Sequence, residues 1–408
     1  MFIARQAIFN RSMKVYGYEL LYRERKTDSR FNNKMSPEES TASVLGGLFE
    51  LGIDNISGNK KSFINFNYHS LFSESIELIH PEDLIIEVLE NTEIDDQLIE
   101  RLTELKQKGY RIALDDFVED IESFPLFPVA SIIKFDLVQS PLATIKEEVK
   151  YAIANRKIIV AEKIETMEEF EEAKAMGFHL FQGYFFQKPN IIGESNNKKS
   201  PKISYMRIIN ELNKEEPSFK KMAAIIKTDV NLAHRLLLTT KNKNVYSDNI
   251  EKNIKHSLVY MGFRQIRRWI NVLILRDLAT DKPDELTQLS LVRARFGELI
   301  AENSCFYNRT SEVYGMLLFS SLDTLFDLPM EKALKDIRLS KDVKRALIQH
   351  AGPLYPLLEI VRSYQKGKFR RVEEIAKTID IQTGRFSFYY IDAIIYSQKI
   401  KDNRYNNF

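Results

Sequence analysis

Through the first 190 or so residues, short β-branched and aromatic runs alternate with longer stretches whose apolar positions recur every three or four residues. The runs read IARQAIF, VYGYELLY, SFINFN, DLIIEVLE, RIALDDF, SIIKFDL, KIIVAEKI and HLFQGYFF. Nearly continuous apolar runs of this length suit strands buried on both faces. The helix-period stretches between them, such as SPEESTASVLGGLFELGI, DDQLIERLTELKQKGY and TMEEFEEAKAMGF, supply the crossovers of a parallel sheet. Gly109 and Gly177 end two of these stretches and predict helix C-caps. Only NRSMK separates the first two runs, too little for a crossover, so they predict an antiparallel hairpin ahead of the β/α repeats.

The stretch NIIGESNNKKSPKIS is polar, carries Gly, Ser, Asn and Pro, and has no periodicity. It predicts a linker. Beyond it the strand pattern fades, and segments such as SFKKMAAIIKTDVNLAHRLLLTT and NIKHSLVYMGFRQIRRWINVLILRDL take helical spacing. The expected organisation is α/β plus all-α: a parallel β/α domain over residues 1–192, a linker over 193–203 and an all-helical domain over 204–408.

A chain of 408 residues, 44% hydrophobic and 28% charged, suits two soluble domains. The N-terminus is too charged for a secretory signal, and no apolar stretch reaches the roughly 18 residues of a membrane helix. The lone Cys305 excludes a disulfide framework or a cysteine-based zinc cluster. A cytoplasmic protein is expected. The first half is acidic and the second basic, which fits hard-cation ligands in one and an anionic partner in the other, or plain surface bias in both.

The chemistry enters where the strands end. In chain order the runs close on Glu19, Asn65, Glu87, Asp115 with Asp116, Lys134 with Asp136, Glu162 with Glu165, and Gln182. A single acidic residue after a strand reads as a helix N-cap. A closed barrel, however, brings the C-terminal ends of all its strands to one face. Carboxylates gathered there repel unless a cation lies between them, and an all-oxygen set without His or Cys selects Mg²⁺ or Mn²⁺. Two such ions serve phosphodiester hydrolysis.

These residues resemble the EAL domain, whose members hydrolyse cyclic di-GMP to linear pGpG on a (β/α)₈ barrel. The signature stands as Glu19-Leu20-Leu21 followed by Arg23. INFN, EVLE, LDDF, IKFD, AEKIE and FQGYFFQKP match the family's later motifs in order. The resemblance implies a metal site lined by Glu19, Asn65, Glu87, Asp115, Asp116, Glu162 and Gln182, with Glu19, Glu162 and Lys134 as catalytic groups. Lys134 would orient or deprotonate the attacking water. Arg23 would hold a phosphate, Gln6 would face a guanine, and Asp136 and Pro189 would complete the substrate site. Glu90 would anchor the loop after Asp116, and Glu165 would be an ancillary carboxylate. The cofactor expected is Mg²⁺ or Mn²⁺, and the assembly a homodimer.

Two departures stand out. The family's Gly-Thr-Gly loop after DDF is replaced here by DDFVEDIESF, and Lys163 replaces the glycine of the AEG motif. Both bear on turnover, so a cyclic di-GMP receptor or scaffold without catalysis is the alternative.

Residues 200–408 resemble the HDOD domain, an all-α relative of the HD phosphohydrolases without their metal centre, on IIKTDVNLAHRLL, IKHSLVYMGFRQIRRWI and GMLLFSSLDTLFDLPMEKAL. None of His69, His80, His179, His234, His256 and His350 precedes an Asp, as an HD centre requires. His234 and His256 read as helix-face residues. Arg264, Arg267 and Arg268 read as snorkelling side chains around a buried Trp269, not a nucleic-acid grip, and Cys305 reads as a packed residue. The resemblance implies a regulatory module that binds a protein partner.

Overall fold

The computed structural model describes residues 2–23, 52–89, 92–117, 121–187, 203–240, 250–278, 283–335, 337 and 339–402. Eight strands form a closed barrel in sequential order. They are β1 (Phe2–Asn10), β2 (Val15–Arg23), β3 (Lys61–Phe66), β4 (Leu84–Val88), β5 (Arg111–Leu114), β6 (Ile132–Asp136), β7 (Ile158–Ile164) and β8 (Leu180–Gly183). As the short connection requires, β1 is antiparallel to β2, and it also closes antiparallel on β8. The remaining pairs are parallel.

Side chains alternate along a strand, so each strand offers the barrel interior every second residue. The floor of the interior is apolar: Ile8, Phe63, Ile85, Ala113, Ile132, Val160 and Leu180 pack together, nearly all sealed from solvent. One step of two residues from this layer, along each parallel strand, the chain turns polar. Phe63 is followed by Asn65, Ile85 by Glu87, Ala113 by Asp115, Ile132 by Lys134, Val160 by Glu162 and Leu180 by Gln182. The hydrophobic layer fixes the register of every strand, because a slip by one residue would turn the polar set outward and the core into water.

Two of the described crossover helices carry side-chain N-caps and the expected glycine ends. Asp95 accepts from Leu98 N–H at the start of helix Asp96–Gln107, and Gly109 beyond its end is left-handed (φ 98°). Thr166 and Glu169 form a reciprocal capping box on helix Met167–Met176, which ends on left-handed Gly177 (φ 108°). β7 carries one residue more than β8 between Ala161 and Ile164, a bulge. Gly183 stands against it, and a Cβ there would lie 2.0 Å from the Ile164 carbonyl oxygen.

By contacts the chain divides into two units. The first joins residues 1–188 with 362–373 and 383–391. Within it, Phe2 stacks on Phe369 (ring centroids 5.2 Å apart), and Ile3 N–H donates to the Tyr364 hydroxyl at 3.3 Å. The second unit, residues 189–361, 374–382 and 392–408, is helical throughout its described residues. Trp269 is buried, and the three arginines beside it are engaged internally. Arg264 and Arg268 both pair with the buried carboxylate of Glu298, while Arg267 donates to the Leu212 carbonyl at 2.6 Å. Arg264 and Arg268 are thus paired with a carboxylate, whereas Arg267, among the described residues, bonds only to uncharged groups. His234 and His256 are exposed, as helix-face positions predict. Cys305 corrects the expectation of a packed residue: it is exposed, because it lies beyond the end of helix Asp284–Glu302 and not on its apolar face.

Candidate active site

Seven of the strand-end residues meet above the apolar layer. Glu19 from β2 takes two amide donors: Asn65 Nδ2 at 3.1 Å on Oε1, and Gln182 Nε2 at 2.5 Å on Oε2. Residues 163 apart in sequence are joined by the second of these bonds because β1 closes the barrel between β2 and β8. Tyr22 donates to the Asn65 carbonyl at 2.6 Å and steadies that strand end. Gln6 lies directly opposite Glu19 in the β1–β2 ladder, and directly opposed residues share a face, so Gln6 is carried on the interior side beside it.

Lys134 is sealed and stands among three carboxylates. Its Nζ lies 2.5 Å from Glu87 Oε1, 2.6 Å from Asp115 Oδ1 and 2.9 Å from Glu162 Oε1. Burial alone would lower its pKa, but the surrounding carboxylates outweigh that and hold it well above the ordinary lysine value. The same burial drives Glu87 well above the ordinary carboxylate range and Glu162 up to about 8, each against the pull of Lys134. The cluster holds more negative charge than one ammonium balances in a dry site.

Two sets of three carboxylates have oxygens within 4.8 Å of one another: Glu19, Glu87 and Asp115, and Asp115, Asp116 and Glu162. Asp115 belongs to both. Asn65 Oδ1, Glu87 Oε2 and Gln182 Oε1 are buried and have no hydrogen-bonding partner. Buried polar oxygens left so are costly, and oxygens converging with carboxylates match the donor set of Mg²⁺ or Mn²⁺. The residues fit such ions. Asp115 and Asp116 also open onto a pocket that Leu89, Thr92, Phe117 and Phe124 help to line.

Other expected residues lie around this centre. Asp136, one strand step above Lys134, is buried; it caps the following turn by accepting from Val138 N–H at 2.8 Å and pairs with Lys163 Nζ at 2.6 Å. The Arg23 guanidinium is 3.6 Å from Glu373. Glu165 is exposed and outside the cluster, at the start of the capping box. Glu90 and Pro189 lie outside the described residues. Lys163, marked in the sequence only as the replacement for a motif glycine, is a further participant. Its Nζ also reaches Asp116 Oδ1 at 3.5 Å, a contact that depends on the β7 bulge and that strand alternation does not predict.

Comparison with known proteins places both halves. The EAL domain matches residues 50–189 and the HDOD domain residues 200–318. An uncharacterised protein of Bacillus subtilis, YuxH, is 31% identical over 98% of this chain and 99% of its own length. The cyclic di-GMP phosphodiesterase CdgJ of Vibrio cholerae is 32% identical over 91% of this chain and 87% of its own. Among solved structures, the manganese and cyclic di-GMP complex of Klebsiella pneumoniae BlrP1 is 23% identical over 45% of this chain, with a TM-score of 0.36. The chain spans about half (54%) of that structure. Among the described residues no helix is long and apolar enough to cross a membrane.

Proposed function

Because this chain belongs to the EAL–HDOD family, with both domains matched in that order and two relatives more than 30% identical over at least 91% of its length, we propose that its barrel is a divalent-metal-dependent cyclic di-GMP phosphodiesterase that releases linear pGpG. The observation that carries this reading is the pair of carboxylate triads hinged on Asp115. Glu19, Glu87 and Asp115 would hold one ion with the oxygens of Asn65 and Gln182; Asp115, Asp116 and Glu162 would hold a second. Such ions stabilise charge developing on a phosphodiester and lower the pKa of water.

The remaining steps fall to the chain's own groups. Lys134 stays an ammonium among its carboxylates, which favours orienting the attacking water over deprotonating it. Arg23 offers a fork of donors to a phosphate, and Gln6 offers an amide to a guanine edge. Asp136 shapes the rim beside Lys134. The HDOD domain is read as the regulatory module, acting on a protein partner, in a cytoplasmic homodimer.

A second reading has one observation in its favour. Lys163 already pairs with Asp116, a carboxylate of the second triad, which fits a barrel that binds cyclic di-GMP and turns it over weakly or not at all.

Incubation of the purified protein with cyclic di-GMP and Mn²⁺ or Mg²⁺, with pGpG followed by chromatography beside a Glu19→Ala control, decides between them. Metal-dependent product that the control lacks supports the phosphodiesterase. Binding by calorimetry without product supports the receptor.

A further inference from the structure

Lys163 is aimed by the backbone, not by strand alternation. In an unbroken strand it would point away from Glu162 and out of the barrel toward the crossover helices. Between Ala161 and Ile164, however, β7 gains one residue over β8. Lys163 takes a left-handed conformation there (φ 57°), which costs a residue with a Cβ more than it would a glycine. The result brings its Nζ to 2.6 Å from Asp136 Oδ2 and 3.5 Å from Asp116 Oδ1. Asp136 presents a side chain only 2% exposed, while the lysine stem is half-exposed and free to withdraw.

The contact is one-sided. Asp116 belongs to the triad with Asp115 and Glu162, and not to the triad with Glu19 and Glu87. Lys134 touches members of both triads. Among the described ion pairs, Lys163 touches only the second.

We infer that Lys163 is a tethered cation that competes with the second divalent ion for Asp116, so that the two halves of the metal site bind with unequal strength. The inference rests on the metal-site reading above. An ammonium and a divalent ion repel, and each needs the Asp116 carboxylate. The ion between Glu19, Glu87 and Asp115 therefore binds first, and the second enters only as Lys163 swings off Asp116. In this arrangement Lys163 positions a ligand and sets metal occupancy; it does not itself touch the scissile phosphate.

The test is direct Mn²⁺ binding to the full-length, chelator-stripped protein, with free Mn²⁺ read by electron paramagnetic resonance and heats by calorimetry. The wild type is expected to bind one ion tightly and a second more weakly by about tenfold to a hundredfold. Lys163→Met removes the charge and keeps the bulk, and Lys163→Gly also relieves the left-handed backbone. Both should bring the second affinity up to the first without changing the first. Lys163→Arg should keep the two unequal. A second ion bound equally well by wild type, Lys163→Met and Lys163→Gly overturns the inference. The parent reading fails separately: Asp115→Asn should abolish both ions, and wild-type protein binding no more Mn²⁺ than Asp115→Asn removes the metal site itself.

Discussion

Lys134 Nζ lies 2.5 Å from Glu87 Oε1, and both side chains are closed to solvent at 1% and 0% exposure. Neither group would be tolerated there alone. Breaking a buried pair by removing one partner costs about 3–5 kcal/mol, since the other charge is left uncompensated. Lys134→Met should therefore destabilise the metal-free protein by about that amount in urea titrations. Saturating Mn²⁺ should recover much of the loss, because the ions take over the neutralisation. An equal loss with and without metal would mean that Lys134 acts in packing and not as the cation of the cluster.

The pH dependence of the metal-free protein follows from Glu162, which burial pushes up to about 8 from an ordinary carboxylate value of 4.5. Between those values the folded protein keeps a proton that the unfolded chain has lost. The native state then binds more protons, so stability falls as pH rises through the window and is fully present only below it. Thermal melts in chelator should show Tm declining from about pH 5 to about pH 8, and Glu162→Gln should flatten that decline. Parallel slopes for wild type and variant would assign the decline to other groups.

Arg23 and Glu373 are paired at 3.6 Å, each about 30% exposed, and both belong to the unit that holds the barrel. If Arg23 receives a substrate phosphate, Glu373 competes with it. Pairs this exposed are worth about 0.2–1 kcal/mol, so Glu373→Gln should lower KM for cyclic di-GMP by about twofold to fivefold at low salt and leave kcat alone. The gain should shrink as salt screens the pair. A KM indifferent to the substitution would remove Glu373 as a competitor.

Gly183 admits the bulge that aims Lys163. A methyl group at this position would meet the Ile164 carbonyl oxygen at 2.0 Å, and backbone cannot yield as a side-chain tip can. Gly183→Ala should cost about 3 kcal/mol in chemical denaturation and weaken the Lys163–Asp116 contact with it. Wild-type stability in this variant would mean that β7 and β8 can separate there at little cost.

Much of this architecture was legible in one dimension because its determinants are local. A period of two, an apolar residue followed by a polar one at the next inward position, marks Phe63 and Asn65, Ile85 and Glu87, Ile132 and Lys134 on their own strands. Gly177 and the Thr166–Glu169 box announce the ends of one helix without reference to the rest of the chain. The EAL-like motifs fall on those same strand ends, so the roster of candidate metal ligands could be written from residue order alone. Tertiary structure decided what each of them faces. Glu19 meets Gln182 only because the barrel closes, Asp115 becomes common to two triads only in the assembled bowl, and Arg23 finds Glu373 some 350 residues away. Lys163 is the clearest case. Alternation assigns it to the outside, and a single extra residue in the β7–β8 ladder turns it onto Asp116. Side-chain periodicity is a property of each strand, whereas pairing between charges depends on closure, register and bulges that only the whole sheet determines.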